Sequence, residues 1–90
     1  MARRRGLGSS VETHTRDGSR AAQVAIAQSG DTVRAIKRGK CVLAFEYLNE
    51  AINSFGAAVA HAEAADTNVS REAARNVFTA RTAFKRACVR

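Results

Sequence analysis

Residues 41–65 read CVLAFEYLNEAINSFGAAVAHAEAA. Within them Cys41, Phe45, Leu48, Ile52, Phe55, Val59 and Ala62 recur at steps of 4, 3, 4, 3, 4 and 3. Three consecutive heptads of apolar residues make a narrow seam along one face of a helix, the pattern of a helix that packs lengthwise on another. The helix should stop near Ala65, where Asp66-Thr67-Asn68-Val69-Ser70 forms a short polar turn and Ser70 or Asn68 is placed to cap the next helix. Beyond the turn, Ala73, Val77, Ala80, Phe84 and Ala87 repeat the same spacing. Two helices joined by so short a turn run antiparallel. The sequence therefore predicts an all-α fold built on an antiparallel helical hairpin, about 40–65 and 71–88. Phe45, Leu48, Ile52, Phe55, Val59, Val77 and Phe84 are its expected interface residues.

Upstream, Ala22, Ile26, Ser29, Val33 and Ile36 share a helix face, and Asp17 or Ser19 can cap its start. Gly30-Asp31 combines a helix-ending residue with a fresh cap, so a break or tight kink is expected there. The apolar phase slips by about two residues near Gly39, which marks a second kink. One or two short helices should thus precede the hairpin. Residues 1–18 contain Arg3, Arg4 and Arg5, three glycines and small polar side chains, with Leu7 and Val11 as the sizeable apolar groups. Such a segment buries too little surface to offset its ordering entropy, and reads as a flexible basic arm leading into a single helical domain over 19–90.

Composition limits what the domain can do alone. Of 90 residues 46% are hydrophobic, but 19 are Ala and five are aromatic, so helix former is plentiful and core filler scarce. A hairpin of this length buries one stripe per helix. Either residues 19–38 fold back as a third helix or hairpins associate into an oligomer or larger assembly. The run Gly56-Ala57-Ala58-Val59-Ala60-His61-Ala62 offers a surface of small residues for close helix approach.

Fifteen Lys and Arg against eight Asp and Glu leave a net charge of +7, unevenly spread. Residues 31–40 carry Arg34, Lys37, Arg38 and Lys40 against Asp31, and residues 81–90 carry Arg81, Lys85, Arg86 and Arg90. Residues 41–66 contain no Lys or Arg and hold Glu46, Glu50, Glu63 and Asp66. An antiparallel hairpin would gather the two basic clusters at one pole and leave the turn end acidic. A concentrated positive end suits phosphate groups, and a short Arg arm can track a nucleic-acid backbone.

The sequence holds no constellation that would carry chemistry. Cys41 and His61 would lie about 30 Å apart on one helix. His14 sits in the arm. There is no C-x-x-C, H-x-x-x-H or E-x-x-H spacing, and GLGSS lacks the Lys of a phosphate loop. Glu46 and Glu50 are expected as solvated carboxylates, Tyr47 as helix surface. Cys41 and Cys88, offset by about 10 Å in a straight hairpin, are expected as two small apolar residues that do not bridge. No enzyme activity, metal or cofactor is expected. MARRR is followed by no apolar stretch of a secretory signal, and residues 51–62 are too short to span a bilayer. The expectation is a soluble chain in a reducing compartment, cytoplasmic or inside a virion or packaged particle. It would bind DNA or RNA without sequence specificity through backbone charge. The alternative is a structural protein, of a virion for example, that docks by its helical seam to a larger complex.

Overall fold

The computed structural model describes residues 2–89, with side chains from Ser10 to Val89. It comprises α1 (Ala2–Lys37), α2 (Cys41–Ala64) and α3 (Arg71–Cys88), with no strand among the described residues. The helices lie side by side in a rod of 57 × 17 × 16 Å.

The α1 helix runs unbroken through Gly30 and Asp31, where the sequence suggests a break. Tertiary contact overrides the local signal there. Ala25, Ser29, Thr32 and Ala35 are buried against the bundle, and the hydroxyls of Ser29 and Thr32 donate to the carbonyls of Ala25 and Gln28. Asp31 does not start a helix; it pairs with Arg34 on the outer face. The helix also continues back through residues 2–18, in place of an arm leading into one or two short helices. The part of that segment with described side chains is anchored, because His14 and Gly18 meet His61 of α2.

Gly39 is a stop instead of a kink. Its φ of 72° turns the chain left-handed, its N–H donates to the Ile36 carbonyl, and the Lys40 N–H reaches back to Ala35. This pair of bonds closes α1 and reverses the chain within three residues. The end of α2 repeats the device with Asp66 at φ 56°, where Asp66 and Thr67 donate to Glu63 and Ala62. Ser70, not Asn68, then caps α3, its Oγ accepting the Ala73 N–H.

The buried stripe of α2 is not the seam of large residues. It is Ala44, Leu48, Ala51, Ala58, Ala62 and the capping Ala65, with half-buried Phe55 at the skipped step. This line keeps the heptad spacing and shares Leu48, Phe55 and Ala62 with the seam, but takes the alanine just before each of Phe45, Ile52 and Val59. It faces Ala22, Ala25, Ser29, Thr32 and Ala35 of α1. Small side chains let two helix backbones approach closely, and the dispersion attraction summed along their length outweighs what a few large residues offer. Of the expected interface residues, Leu48 and Val77 are buried, and Phe55 packs between Ala22, Ala25, Ala51, Ala58, Ala73 and Val77. Val59 and Phe84 are half-buried, while Phe45 and Ile52 are 51% and 43% exposed. The stripe of α3 is Ala73, Val77 and Ala80, with Ala87 exposed.

This packing distinguishes neighbouring positions on α2. Ala51→Leu should cost about 1–3 kcal/mol through overpacking, whereas Ile52→Ala, one residue on, should cost less. Chemical denaturation of both variants is the check. An order reversed between them would restore the large-residue seam as the buried face.

Candidate nucleic-acid interface

Three helix ends converge at one pole: the C-termini of α1 and α3 and the N-terminus of α2. A disulfide between Cys41 and Cys88, with Cα atoms 5.6 Å apart, fastens two of them. The expectation of two unbridged cysteines is thereby corrected, and the connection between α2 and α3 supplies the reason. Residues 67–70 are not a tight turn at the tip. They climb back along the bundle in irregular backbone, with Thr67 Oγ1 held by the Ala62 carbonyl and Val69 packed on the Ala22, Ala58 and Ala73 cluster. An extended residue advances the chain by about 3.3 Å. Residues 67–70, outside any helix, are long enough to take up the offset of about 10 Å that a straight hairpin implies. One turn in from the disulfide, the rings of Phe45 and Phe84 lie 5.8 Å apart, continuing the α2–α3 edge.

Around this fastening stand Lys37, Arg38 and Lys40 from the end of α1 and its turn, and Lys85 and Arg86 from the last turn of α3. All five are exposed, and none makes an ion pair among the described residues. Arg34 lies one turn back and is paired with Asp31; Arg81 is two turns back on α3 and exposed. The cations at the ends of α1 and α3 also sit where the helix dipole is negative, so their placement stabilises the helices and offsets part of their mutual repulsion. Arg90 lies outside the described residues. Arg3, Arg4 and Arg5 fall in the opening turns of α1, at the opposite end of the rod from the pole, and their side chains lie outside the described residues.

Tyr47 is not simple helix surface. It is half-buried and lines a cleft of about 210 Å³ with Asp31, Arg34, Ala35, Arg38 and Leu43, where α1 meets the first turns of α2. Two guanidinium groups beside a phenol ring can take a phosphate, a base face or both. The carboxylate that lines the cleft is that of Asp31, paired with Arg34, while Glu46 and Glu50 of α2 are exposed as expected.

About 30 Å along α2 from the disulfide, in the last turn of that helix, His14 and His61 meet. Their Nδ1 atoms are 2.8 Å apart, one ring donating to the other, and the ring centroids are 5.0 Å apart. Placing His14 in a free arm hides this pair from a reading of the sequence, although the positions lie on faces that a continuous α1 would bring together. No group of three or more His, Cys, Asp or Glu converges among the described residues. No helix among them is long and apolar enough to cross a membrane. No protein family, curated protein or solved structure matches the chain.

The bridge closes a loop across a sequence separation of 47, for which chain entropy gives about 4 kcal/mol as an upper figure. Reduction with dithiothreitol should therefore lower stability by roughly 2–4 kcal/mol, read as a drop in thermal midpoint of about 8 °C or more. A reduced protein that melts with the oxidised one would mean that the pole is held by packing alone.

Proposed function

We propose that this chain binds nucleic acid through the phosphate backbone, without reading sequence, and that the basic pole is the contact surface. The observation that carries the reading is the convergence of Lys37, Arg38, Lys40, Lys85 and Arg86 around the Cys41–Cys88 bridge, all exposed and unpaired among the described residues. Cations fixed on helix ends present their charge at defined spacing, and each phosphate neutralised releases condensed counterions. Arg34 and Arg81 extend the surface. Tyr47, between Arg34 and Arg38, adds an aromatic face that an unpaired base could stack on. Arg3, Arg4 and Arg5 then serve as a second, separate contact, so one rod would touch backbone at two places. A particle that packages nucleic acid and leaves the cell also fits a disulfide, because such bridges persist in oxidising surroundings.

The test is a titration of oxidised protein into labelled single- and double-stranded oligonucleotides at several salt concentrations. A log–log slope of about −4 to −6 on duplex, near −0.9 per phosphate, is expected. Replacing Lys37, Arg38, Lys85 and Arg86 by Gln should weaken binding on unrelated sequences alike. Replacing Arg16, Arg20, Arg71 and Arg75, which lie about 20 Å or more along the helices from the pole, removes the same charge and should weaken it far less. Equal losses in the two variants would make the effect one of net charge and remove the pole as the site.

A second reading, assembly through the helical surface, is favoured by the large apolar side chains left in solvent. Val42, Phe45 and Ile52 on α2 are 77%, 51% and 43% exposed, and Phe78 on α3 is 69% exposed. If the chain assembles by this surface, sedimentation should give a mass above the monomer that falls in Phe45→Ser or Phe78→Ser. A monomer at every concentration removes this reading.

A further inference from the structure

The basic pole is assembled around a bond that thiols can open, and little else closes it. The buried residues of α3 are Ala73, Val77 and Ala80, all in its first three turns. From Arg81 to Val89 no side chain is buried. Phe84 meets Phe45 there, a ring that is itself half in solvent. Charge works against the closure. Lys85 and Arg86 share the pole with Lys37, Arg38 and Lys40, and no Asp or Glu lies in the last turn of α1 or α3 or the first turn of α2. The covalent link therefore holds two groups of like charge together.

The bridge is also placed for exchange. Cys41 and Cys88 are both half-buried, so solvent reaches it from one side. Cys41 opens α2, and the preceding Lys40 offers no side-chain acceptor to the first-turn N–H groups. A thiolate released at Cys41 would stand among those free donors, at the positive end of the helix dipole and beside Lys40. Such surroundings stabilise a leaving thiolate.

We propose that the Cys41–Cys88 bridge is a redox switch on nucleic-acid binding. The oxidised chain presents the whole pole; reduction frees the last two turns of α3 and withdraws Lys85 and Arg86. This inference rests on the pole being the contact surface. The reductant is a dithiol or a pair of monothiols. One thiolate bonds to the Cys88 Sγ, the S–S bond breaks, and its electron pair leaves on the Cys41 Sγ. A second thiolate then displaces Cys88 from the mixed disulfide. The two reductant sulfurs end joined, and two electrons and two protons end on the cysteines. Nucleic acid is thus held in oxidising surroundings and released where thiols are plentiful. The coupling is reciprocal, so phosphates bound at the closed pole make the bridge harder to reduce.

The test titrates oxidised and dithiothreitol-reduced full-length protein into the same labelled duplex, with helix content followed by circular dichroism. The reduced protein should bind at least about tenfold more weakly, with a log–log salt slope shallower by about 2, and lose no more helix than the last two turns of α3. The double variant Cys41→Ser, Cys88→Ser should bind as the reduced protein does and ignore dithiothreitol. A tenfold difference also requires that saturating duplex lower the reduction potential of the bridge by about 30 mV, read in a glutathione series on the unmutated chain. Equal affinity in both thiol states, with the Gln variant of Lys37, Arg38, Lys85 and Arg86 still weaker, overturns the switch and leaves the pole as the site. Absence of binding in both states overturns the two together. A reduced protein that has lost most of its helix makes the bridge a structural staple and likewise overturns the switch.

Discussion

The close contact between the small-residue faces of α1 and α2 is what the remaining structure depends on. Ala22, Ala25, Ser29, Thr32 and Ala35 meet Ala44, Leu48, Ala51, Ala58 and Ala62, and the largest fully buried side chains are Thr32 and Ser29. No single residue supplies much energy in such an interface. Its strength is spread along the helices, which is why α1 stays continuous past Gly30. A break there would end the alignment of every small residue on one side of it. The two polar side chains in the contact satisfy themselves within α1, so they ask nothing of α2 beyond space.

Placing α1 and α2 side by side leaves a third helix little choice of position. The α3 helix lies along their edge through Ala73, Val77 and Ala80, and the returning segment before it sets its height. That height decides whether Cys88 reaches Cys41, and with it whether Lys85 and Arg86 stand beside Lys37, Arg38 and Lys40. The charge pattern of the pole is therefore a consequence of register and not of charge itself. Val69 accordingly has more influence on the pole than its distance suggests, because its seat on the Ala22, Ala58 and Ala73 cluster anchors the segment that sets the offset.

The all-helical class is legible in the sequence from periodicity, and the heptad spacing of α2 is correct in period but not in phase. The eye selects Phe45, Ile52 and Val59 because transfer energy scales with side-chain area. Helix packing instead selected the adjacent alanine line, which shows no contrast in a hydropathy plot against so many other alanines. Gly39 carried a readable signal, since glycine after a run of helix formers with Lys and Arg in the last turn is a common stop. The polar run from Asp66 likewise marked the end of α2, but not the left-handed turn at Asp66 itself. The disulfide and the histidine pair share one cause of illegibility. Both depend on where two distant helices lie along their axes, and that height is fixed by a few irregular residues whose path no periodicity encodes.

The Cys41–Cys88 bridge also changes how the molecule carries a mechanical load. Tension applied along α1 and taken up beyond Cys88 would reach Cys41, cross the two sulfurs and leave through Cys88. The α2 and α3 helices and the returning segment would lie outside that line of force. With the bridge closed, pulling peels α1 away while the other two helices remain a ring of fixed contour. Opened by a reductant, the same chain releases the whole of α2 and α3, so its extensible length becomes a function of the thiol state around it.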